Sequence, residues 1–503
     1  MNKSIHYKTP LFDAIKQYVN TKTIPFHVPG HKQGRGIPEL TAFMGDTALQ
    51  MDTNGMKGLD YINNPCGVIA EAQALYAEAF GAHQAYFLVN GTTSGVQTMI
   101  MSACSPGDEI IIPRNAHKST IGGLILSGAL PIYVQPEINE KLGIAMGVTV
   151  ESIIEAIRKH PHAKAVFLIN PTYYGYASDI KNIVSIAHQN NMAVLVDEAH
   201  GAHMYFHPDF PLPALYAGAD MSAASMHKTG GSMTQSSVLL LKSDLISPDR
   251  VRQVLNLTYT SSASYLLMCS LDVARKQLAI NGKKLLSETL AIVREARHEI
   301  NRIEGFYAFG KDIVGQPGCY NFDETKLSIH VRLSGYTGYQ LEDKLRDNYN
   351  IQVELSDLFN IMALTTIGDQ PENLDVLIKA LKNISGRNSL HPFKNYPLIP
   401  YNNDMVVSPR DAFYSTKKAI ALDEAVGEIA GENIMAYPPG IPVVSLGEKI
   451  TQDIIDYIKI LKMENCHLQG GIDPLVNYIS VLGINKIGKT HYYQLEQVEA
   501  NYL

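Results

Sequence analysis

A glycine-rich turn, an aspartate and a lysine each follow a short apolar run, and their residue types could bind a small charged molecule. The turn is Asn90-Gly-Thr-Thr-Ser-Gly95, between a predicted strand and a predicted helix. Glycines let backbone N–H groups turn inward and a helix N-terminus adds a partial positive charge, so Gly91, Thr92 and Thr93 could cradle a phosphate. The same letters also fit an ordinary strand-to-helix turn with Ser/Thr capping. Both interpretations stay open for the turn alone.

The aspartate opens the segment Asp197-Glu-Ala-His200, directly after the apolar run Ala193–Val196. Ligands of open α/β sheets bind beyond the carboxyl ends of the strands, where this aspartate is expected. It could serve a nucleotide site, a metal site with His200 and His203, or an organic cofactor. The two histidines have no third ligand at a useful spacing, so we predict no metal.

The nucleotide interpretation gains a match near the end of the sequence. Gly483-Ile-Asn-Lys-Ile-Gly-Lys-Thr490 fits the P-loop pattern letter for letter. Only residues 491–503 follow it, too few for the helix and parallel sheet that a P-loop requires. We therefore expect no P-loop here.

The lysine ends the segment Ser225-Met-His-Lys228, after the strand-like run Asp220–Ala224. Alone, Lys228 would be a solvated loop lysine. With Asp197 and the glycine-rich turn it is typical of a pyridoxal 5′-phosphate (PLP) site, which needs an amine, an anion site and an aspartate on the pyridine nitrogen. His117 supplies an aromatic ring that could stack on such a cofactor.

Short apolar strands alternate with helices from about residue 70 to about residue 303. The predicted strands are Ala85–Val89, Asp108–Ile112, Pro131–Val134, Lys164–Asn170, Ala193–Val196 and Asp220–Ala224. The predicted helices are Glu71–Phe80, Val96–Ser102, Ser119–Ser127, Asp179–Asn190 and a long one around 283–303. Short buried strands joined by helices require crossover connections, so we predict an α/β fold with a mostly parallel sheet.

The pattern predicts four parts. Residues 1–60 form an N-terminal arm, 61–304 the cofactor-binding large domain, 305–385 a smaller α+β domain, and 386–503 a linker with a C-terminal domain. The smaller domain carries the strand-like runs Leu327–Leu333 and Ile361–Thr366 around a helix, and a further strand-like run, Ile351–Val353, precedes Glu354.

Composition is that of an ordinary globular protein. The 503 residues are 46% hydrophobic and 18% charged, with a net charge of −7, which argues against disorder and against a nucleic-acid or anionic-lipid partner. No apolar run approaches the roughly 18–20 residues of a membrane span, and the N-terminus lacks a signal-peptide pattern. Five cysteines without a C-x-x-C pair suit reduced thiols, so we predict a cytoplasmic protein.

The chain resembles the PLP-dependent ornithine/lysine/arginine decarboxylases of bacteria, in their short form without the N-terminal wing domain. The resemblance covers nearly the whole chain and is carried by Phe26-His-Val-Pro-Gly-His-Lys32, Asn90–Gly95, His117-Lys-Ser119, Asn170-Pro-Thr-Tyr-Tyr-Gly175, Asp197–His203, Ser225–Lys228, Gln352-Val-Glu354 and Tyr437–Pro442. The first and the last of these elements separate the family from aminotransferases. The resemblance implies an aspartate-aminotransferase-like fold of type I with an additional C-terminal domain.

The resemblance also assigns the cofactor residues. Lys228 would carry PLP, Asp197 would pair with its ring nitrogen, and His117 would stack on its face. The residues around the phosphate would be Thr92, Thr93, Ser225 and His227.

Three further assignments follow from the family. His200 would orient Asp197, and His227 or Lys228 would return a proton to the substrate carbon. The segment Thr260–Tyr265, beginning with Thr260, resembles one that reaches the neighbouring subunit's cofactor, which implies a homodimer with shared sites.

The expected reaction is decarboxylation of a basic amino acid, first of all L-arginine to agmatine and CO2 in polyamine biosynthesis. Lysine, ornithine or a longer cationic polyamine precursor are the alternatives. A buried cationic side chain needs an anionic partner, for which the candidates are Glu354, Asp357 and Glu428.

Two departures from the family pattern leave the substrate open. Ala425-Val-Gly-Glu428 stands where the family usually has Ala-Val-Gly-Arg, and Ser261-Ser-Ala-Ser-Tyr265 stands where it has Thr-Ser-Pro-Ser-Tyr.

Two rival functions are disfavoured. An aminotransferase of this fold usually grips the substrate carboxylate with an arginine late in the small domain, and Ile361–Gly368 contains none. A PLP-binding transcriptional regulator would need an appended DNA-binding domain, and the chain is acidic.

Overall fold

A computed structural model describes residues 4–385, 396–400, 403–436 and 440–483. The chain divides into two compact units that interleave along the sequence. The first unit comprises Met1–Ala103, Ile180–Leu290 and Thr366–Gly368, and the second comprises Cys104–Asp179, Ala291–Thr365 and Asp369–Leu503. The four-part division drawn from the sequence stays a prediction.

Four strands of the first unit carry its candidate functional residues. Gln84–Leu88 pairs antiparallel with Ser237–Leu241, which pairs antiparallel with Met221–Ala224. Met221–Ala224 in turn pairs parallel with Ala193–Asp197. Because these last two strands are parallel, the residues that follow them emerge at one edge of the sheet.

Helices complete the first unit. The α-helices that begin in it are Pro10–Asn20, Pro38–Met44, Asp46–Met51, Val68–Phe80, Gly91–Ala103, Ile180–Gln189, Ala214–Ala217, Met226–Thr229, Pro248–Thr258 and Tyr265–Ile300. Short 3-10 helices cover Ile5–Tyr7 and Ala202–Phe206. The strands are almost wholly buried because helices supply apolar side chains to a common core.

The second unit contains a parallel sheet and smaller antiparallel sheets. Glu109–Pro113 pairs parallel with both Leu130–Val134 and Ala165–Ile169. An antiparallel sheet has the strand order Tyr307–Ala308, Lys326–His330, Asn360–Leu364 and Leu355–Ser356. The remaining strand pairs are Asn321–Phe322 with Tyr176–Ala177, Ile138–Asn139 with Ile144–Ala145, Lys417–Ala421 with Tyr478–Leu482, and Ile434–Ala436 with both Ile441–Val444 and Leu468–Gln469.

The second unit also has its own helices. The α-helices are Ser119–Ser127, Val150–Lys159, Gly338–Tyr349, Pro371–Ser385, Pro409–Tyr414 and Gln452–Met463, and the 3-10 helices are Lys311–Ile313, Arg332–Ser334 and Leu422–Glu424. Several begin at a side-chain cap; the hydroxyl of Thr337, for example, accepts the Gln340 N–H in a capping box.

Three element predictions differ from the structure. The long helix predicted around 283–303 spans Tyr265–Ile300. The helix predicted over Val96–Ser102 begins at Gly91, so the supposed loop Asn90–Gly95 is mostly the first turn of that helix. Glycine and polar residues are typical of loops, but they also occur in the first turn of a helix. The strand-like run Ile351–Val353 is not a strand; it follows Asn350, whose left-handed φ of 54° ends the preceding helix.

Three sequence predictions fall partly outside the described residues. They concern positions 386–395 of the predicted linker, positions 437–439 of Tyr437–Pro442, and positions 484–490 of the P-loop match. Within the described ranges, no helix is both long enough and apolar enough to cross a membrane.

Candidate active site

Lys228, Asp197 and His200 come together at the strand edge of the first unit. Lys228 lies in the short helix Met226–Thr229, which follows the strand Met221–Ala224. Its Nζ atom is 2.9 Å from Nε2 of His200, a buried residue in the loop after Ala193–Asp197. A lysine, a histidine and a carboxylate therefore meet where the fold is expected to hold its ligand.

Asp197 is a buried carboxylate with little hydrogen bonding. The Ala199 N–H donates to its Oδ1 atom at 2.9 Å, and this is the single hydrogen bond to the carboxylate within the described part of the chain. Burial raises the pKa of Asp197, while the Ala199 N–H and the charge of Lys228 lower it. An oxygen of Asp197 can thus serve a further donor or cation.

The start of the helix Gly91–Ala103 is tied to the lysine segment through hydroxyl groups. Oγ1 of Thr92 lies 2.6 Å from Oγ of Ser225 and donates to Oγ of Ser237 at 3.2 Å. Thr93 is exposed, unlike Thr92. The first N–H groups of a helix have no partner inside it, so this end can bind an anion.

Close packing of that helix on the sheet requires glycine at position 95. A Cβ atom there would lie 2.8 Å from Cδ1 of Leu88 and 2.9 Å from Cβ of Ala223. Both distances are too short for a real contact, so Gly95 allows the helix start to sit against the strands.

His227 points its ring at the chain segment that precedes the strand Ser237–Leu241. Its Nδ1–H donates to the carbonyl oxygen of Ser236 at 2.9 Å. Burial lowers the pKa of His227 and the charge of Lys228 lowers it further, whereas the Ser236 carbonyl raises it. The neutral ring is therefore the favoured form.

Three residues of this region were missed from the sequence. Gln235 has a left-handed φ of 79°, and its carbonyl accepts the Gly91 N–H at 2.9 Å, which fixes the helix start. Ser236 and Ser237 contribute the contacts to His227 and Thr92. The glycines at 230 and 231 signalled an unusual turn, but no sequence rule pairs that turn with residues 91–92.

Glu198 was also missed. This buried carboxylate accepts hydrogen bonds from the Ala214 N–H at 2.8 Å, the Tyr205 hydroxyl at 2.5 Å and the Ser222 hydroxyl at 2.6 Å. It ties the loop that carries His200 to the neighbouring strand. Its only sequence signal was its place next to Asp197.

The remaining predicted cofactor residues are His117 in the second unit and Thr260 in the first. Nδ1 of His117 accepts the Ser119 N–H at 3.2 Å, which orients the ring at the start of the helix Ser119–Ser127. Thr260 is exposed, and its hydroxyl accepts the Ser262 N–H at 3.1 Å. Tyr265, at the end of that segment, donates to the carbonyl oxygen of Asp60 at 2.5 Å.

The three acidic residues predicted to bind the substrate have different surroundings within the second unit. Glu354 is partly exposed, just before the strand Leu355–Ser356. The Asp357 carboxylate accepts hydrogen bonds from the Tyr174 hydroxyl and from the N–H groups of Phe359 and Asn360. Oε1 of Glu428 is 3.1 Å from Nζ of Lys418, and both side chains are partly exposed.

Comparison with solved structures confirms the predicted fold class. A crystal structure of the Francisella novicida lysine decarboxylase matches with a TM-score of 0.80 at 20% identity, over 94% of this chain and 81% of that one. Alanine–glyoxylate aminotransferase from Nostoc sp. matches with a TM-score of 0.52 at 16% identity, over 63% of this chain and 86% of that one.

Sequence comparison identifies the family. The model described as Orn/Lys/Arg decarboxylase, major domain, matches residues 9–331, and the C-terminal domain model of the same family matches residues 398–473. Arginine decarboxylase of Bacillus subtilis is 45% identical over 480 residues, which cover 95% of this chain and 98% of that protein. The chain therefore belongs to the Orn/Lys/Arg decarboxylase family and is an amino acid decarboxylase.

Proposed function

We propose that this decarboxylase uses PLP and converts L-arginine to agmatine and CO2, a step of polyamine biosynthesis. The observation that carries the cofactor assignment is a buried, sparsely hydrogen-bonded carboxylate that lies within the electrostatic influence of a lysine amine. A group such as a protonated pyridine nitrogen would give a second partner to the Asp197 carboxylate, which is buried and receives a hydrogen bond from the Ala199 N–H. The donor set therefore fits PLP.

Each part of the cofactor has candidate residues in this chain. Lys228 supplies the amine that joins PLP to the protein, and Asp197 holds a proton at its ring nitrogen. The phosphate would be bound by the N–H groups that follow Gly91 at the start of this helix, since the Gly91 N–H itself donates to the Gln235 carbonyl, and by Thr93, Ser225 and His227. The Thr92 hydroxyl, already bonded to Ser225, holds this group of donors together. His117 is proposed to stack on the ring.

PLP, when bound, supplies an electron sink for the pair of electrons left behind as CO2 departs. The chain's own residues must keep that sink charged and provide a proton. A carboxylate beside a ring nitrogen favours its protonated form, which is the part we assign to Asp197. Lys228 is a proposed source of the proton that replaces the lost carboxylate. His227 is the other, once its ring is also protonated at Nε2, because its Nδ1–H is donated to the Ser236 carbonyl.

Arginine is the proposed substrate because the full-length relatives at 43–45% identity are named arginine decarboxylases. The matches cover almost the whole of those proteins and of this chain, so the C-terminal domain is included. The relatives named lysine decarboxylase share only 23% of their residues with this chain and are therefore much more distant.

Glu354 is our first candidate for binding the guanidinium group. This residue is partly exposed and belongs to the segment Gln352-Val-Glu354, one of the elements that carry the family resemblance. We keep Asp357 and Glu428 as second candidates. An anion at this point would offset the cost of removing the cationic side chain from water.

We further propose a homodimer in which Thr260–Tyr265 serves the neighbouring subunit's site. The first unit exposes large apolar side chains that a subunit interface would cover: Phe26 is 94%, Phe43 91% and Leu257 75% exposed. Light scattering of the purified protein should give twice the chain mass; a monomer that keeps full activity would contradict the shared site.

The reaction is tested by incubating the purified protein and PLP with arginine, lysine, ornithine and longer guanidino or amino analogues. Mass spectrometry should detect agmatine from arginine as the main product. Cadaverine or putrescine as the preferred product would move the substrate to lysine or ornithine. A keto acid would indicate transamination.

A further inference from the structure

The His200 ring lies within hydrogen-bonding distance of the Lys228 amine. Its Nε2 atom is 2.9 Å from Nζ, and its ring is buried, with 4% exposed. A lysine ammonium has three donors and no acceptor, so Nε2 must accept when the lysine is charged. The two nitrogens then share one proton.

We propose that His200 is the proton partner of Lys228, taking the shared proton when the lysine must act as a neutral nucleophile. Lys228 loses one proton from Nζ and becomes a neutral amine, while His200 gains that proton at Nε2 and becomes an imidazolium. The net charge of the pair stays +1. This rests on the proposed function, since only a neutral amine can join to a cofactor aldehyde.

A proton transfer within the pair leaves its net charge unchanged, which suits a buried site. If the proton left to solvent, the region around Asp197 would lose its nearby cation, and the carboxylate would be left buried and uncompensated. Passing the proton to His200 keeps one positive charge near Asp197 in both states. The geometry thus lets Lys228 change its protonation state at small electrostatic cost.

The other titratable groups of this region are engaged differently. His227, on the same short helix as Lys228, donates its Nδ1–H to the Ser236 carbonyl. Glu198 accepts from Tyr205, Ser222 and the Ala214 N–H. On the 3-10 helix packed nearby, the His203 ring lies edge-on to Phe210, with 4.5 Å between the ring centroids. The charge of Lys228 lowers the pKa of Asp197, so this carboxylate is near enough to favour a positive charge on the pair.

A titration of histidine in the protein without PLP tests the coupling. NMR of protein carrying ¹³C-labelled histidine, with His200→Gln to assign the signal, should show the His200 midpoint rising by at least one pH unit in Lys228→Met. That shift is a tenfold gain in proton affinity, because a neighbouring cation disfavours the imidazolium. Lys242→Met is the matched control, since Lys242 donates to the Leu215 carbonyl, and should leave the midpoint unchanged.

A rate measurement separates proton transfer from simple positioning. His200→Ala should capture PLP at least tenfold more slowly, followed by the visible absorbance of the bound cofactor, and added imidazole should restore much of the rate. Added imidazole should not raise the rate at which His203→Ala captures PLP. An unchanged His200 midpoint in Lys228→Met, or no imidazole effect, would overturn the inference. Because the titration needs no cofactor, it can succeed or fail independently of PLP binding and arginine decarboxylation.

Discussion

Two aspartates, one in each unit, show how differently the same carboxylate can be used. Asp197, at a strand end of the first unit, receives one hydrogen bond, from the Ala199 N–H. Asp357, in a turn of the second unit, receives donors from Tyr174, Phe359 and Asn360. Burial raises the pKa of both. The first carboxylate has spare capacity for a ligand, while the second holds a turn together.

The largest effect is expected at Asp197. Asp197→Asn keeps an oxygen for the Ala199 N–H and removes the charge, so PLP should stay bound while decarboxylation falls by about 100-fold or more. Steady-state kinetics with arginine measures this loss. We expect no loss of folding stability in Asp197→Asn. Because the carboxyl pKa is raised in the folded protein, the stability contributed by the protonated form is lost as pH rises through the folded-state pKa, and the asparagine variant has no such loss. Thermal melts without PLP at pH 8 should therefore show that Asp197→Asn is at least as stable as the parent protein. If Asp197→Asn turned over arginine at the parental rate, Asp197 would not be the partner of the cofactor's ring nitrogen.

An intermediate effect is expected at Glu354, the partly exposed carboxylate. Glu354→Gln keeps the size and removes the charge, so we expect KM for arginine to rise about tenfold, the equivalent of 1.4 kcal/mol, with the absorbance of bound PLP unchanged. The matched variant Asp357→Asn should leave KM near the parental value. If the two results were reversed, Asp357 would be the residue that binds the guanidinium group.

Asp357→Asn should instead act on stability. An amide has one acceptor oxygen where the carboxylate has two, so a donor among Tyr174, Phe359 and Asn360 loses its partner, at a cost of about 1–3 kcal/mol. Chemical denaturation should show this loss. Equal stability of Asp357→Asn and the parent would mean that the hydrogen bonds around Asp357 contribute little.

The sequence predicted the first of these regions well for physical reasons. Apolar runs place Asp197 and Ser225 at strand ends, and parallel neighbours bring strand ends together, so local signals sufficed. What it could not show was the helix start at Gly91, set by the remote carbonyl of Gln235, or the His200–Lys228 contact. Side-chain partners across loops depend on tertiary packing, which no local pattern encodes.

The second region was predicted less well. Ile351–Val353 was predicted as a strand, but the left-handed Asn350 and the short strand Leu355–Ser356 replace it. The donors to Asp357 come from Tyr174, far away in sequence, and from its own turn. Substrate residues there were proposed from family resemblance, and their roles stay predictions.

The smallest expected effect is on the pH dependence of folding stability in His227→Gln. Burial lowers the pKa of His227, so the stability due to its neutral form is present above the unfolded value near 6.5 and is lost as pH falls through the folded-state pKa. His227→Gln cannot be protonated and should lose less stability between pH 6.5 and 5. Burial lowers the pKa of His330 in the same direction, so the variant retains part of the acid sensitivity. Denaturation curves at several pH values measure the difference; parallel curves would contradict it.

Lys228 is the residue to which we propose that PLP is joined. Borohydride treatment of the PLP-loaded protein reduces the bond between cofactor and lysine and makes it permanent, so peptide mass spectrometry can find the modified residue. We expect one phosphopyridoxyl group, on the peptide containing Lys228, and none in Lys228→Ala. Stable modification of another lysine, or the same visible absorbance and turnover in Lys228→Ala, would contradict it.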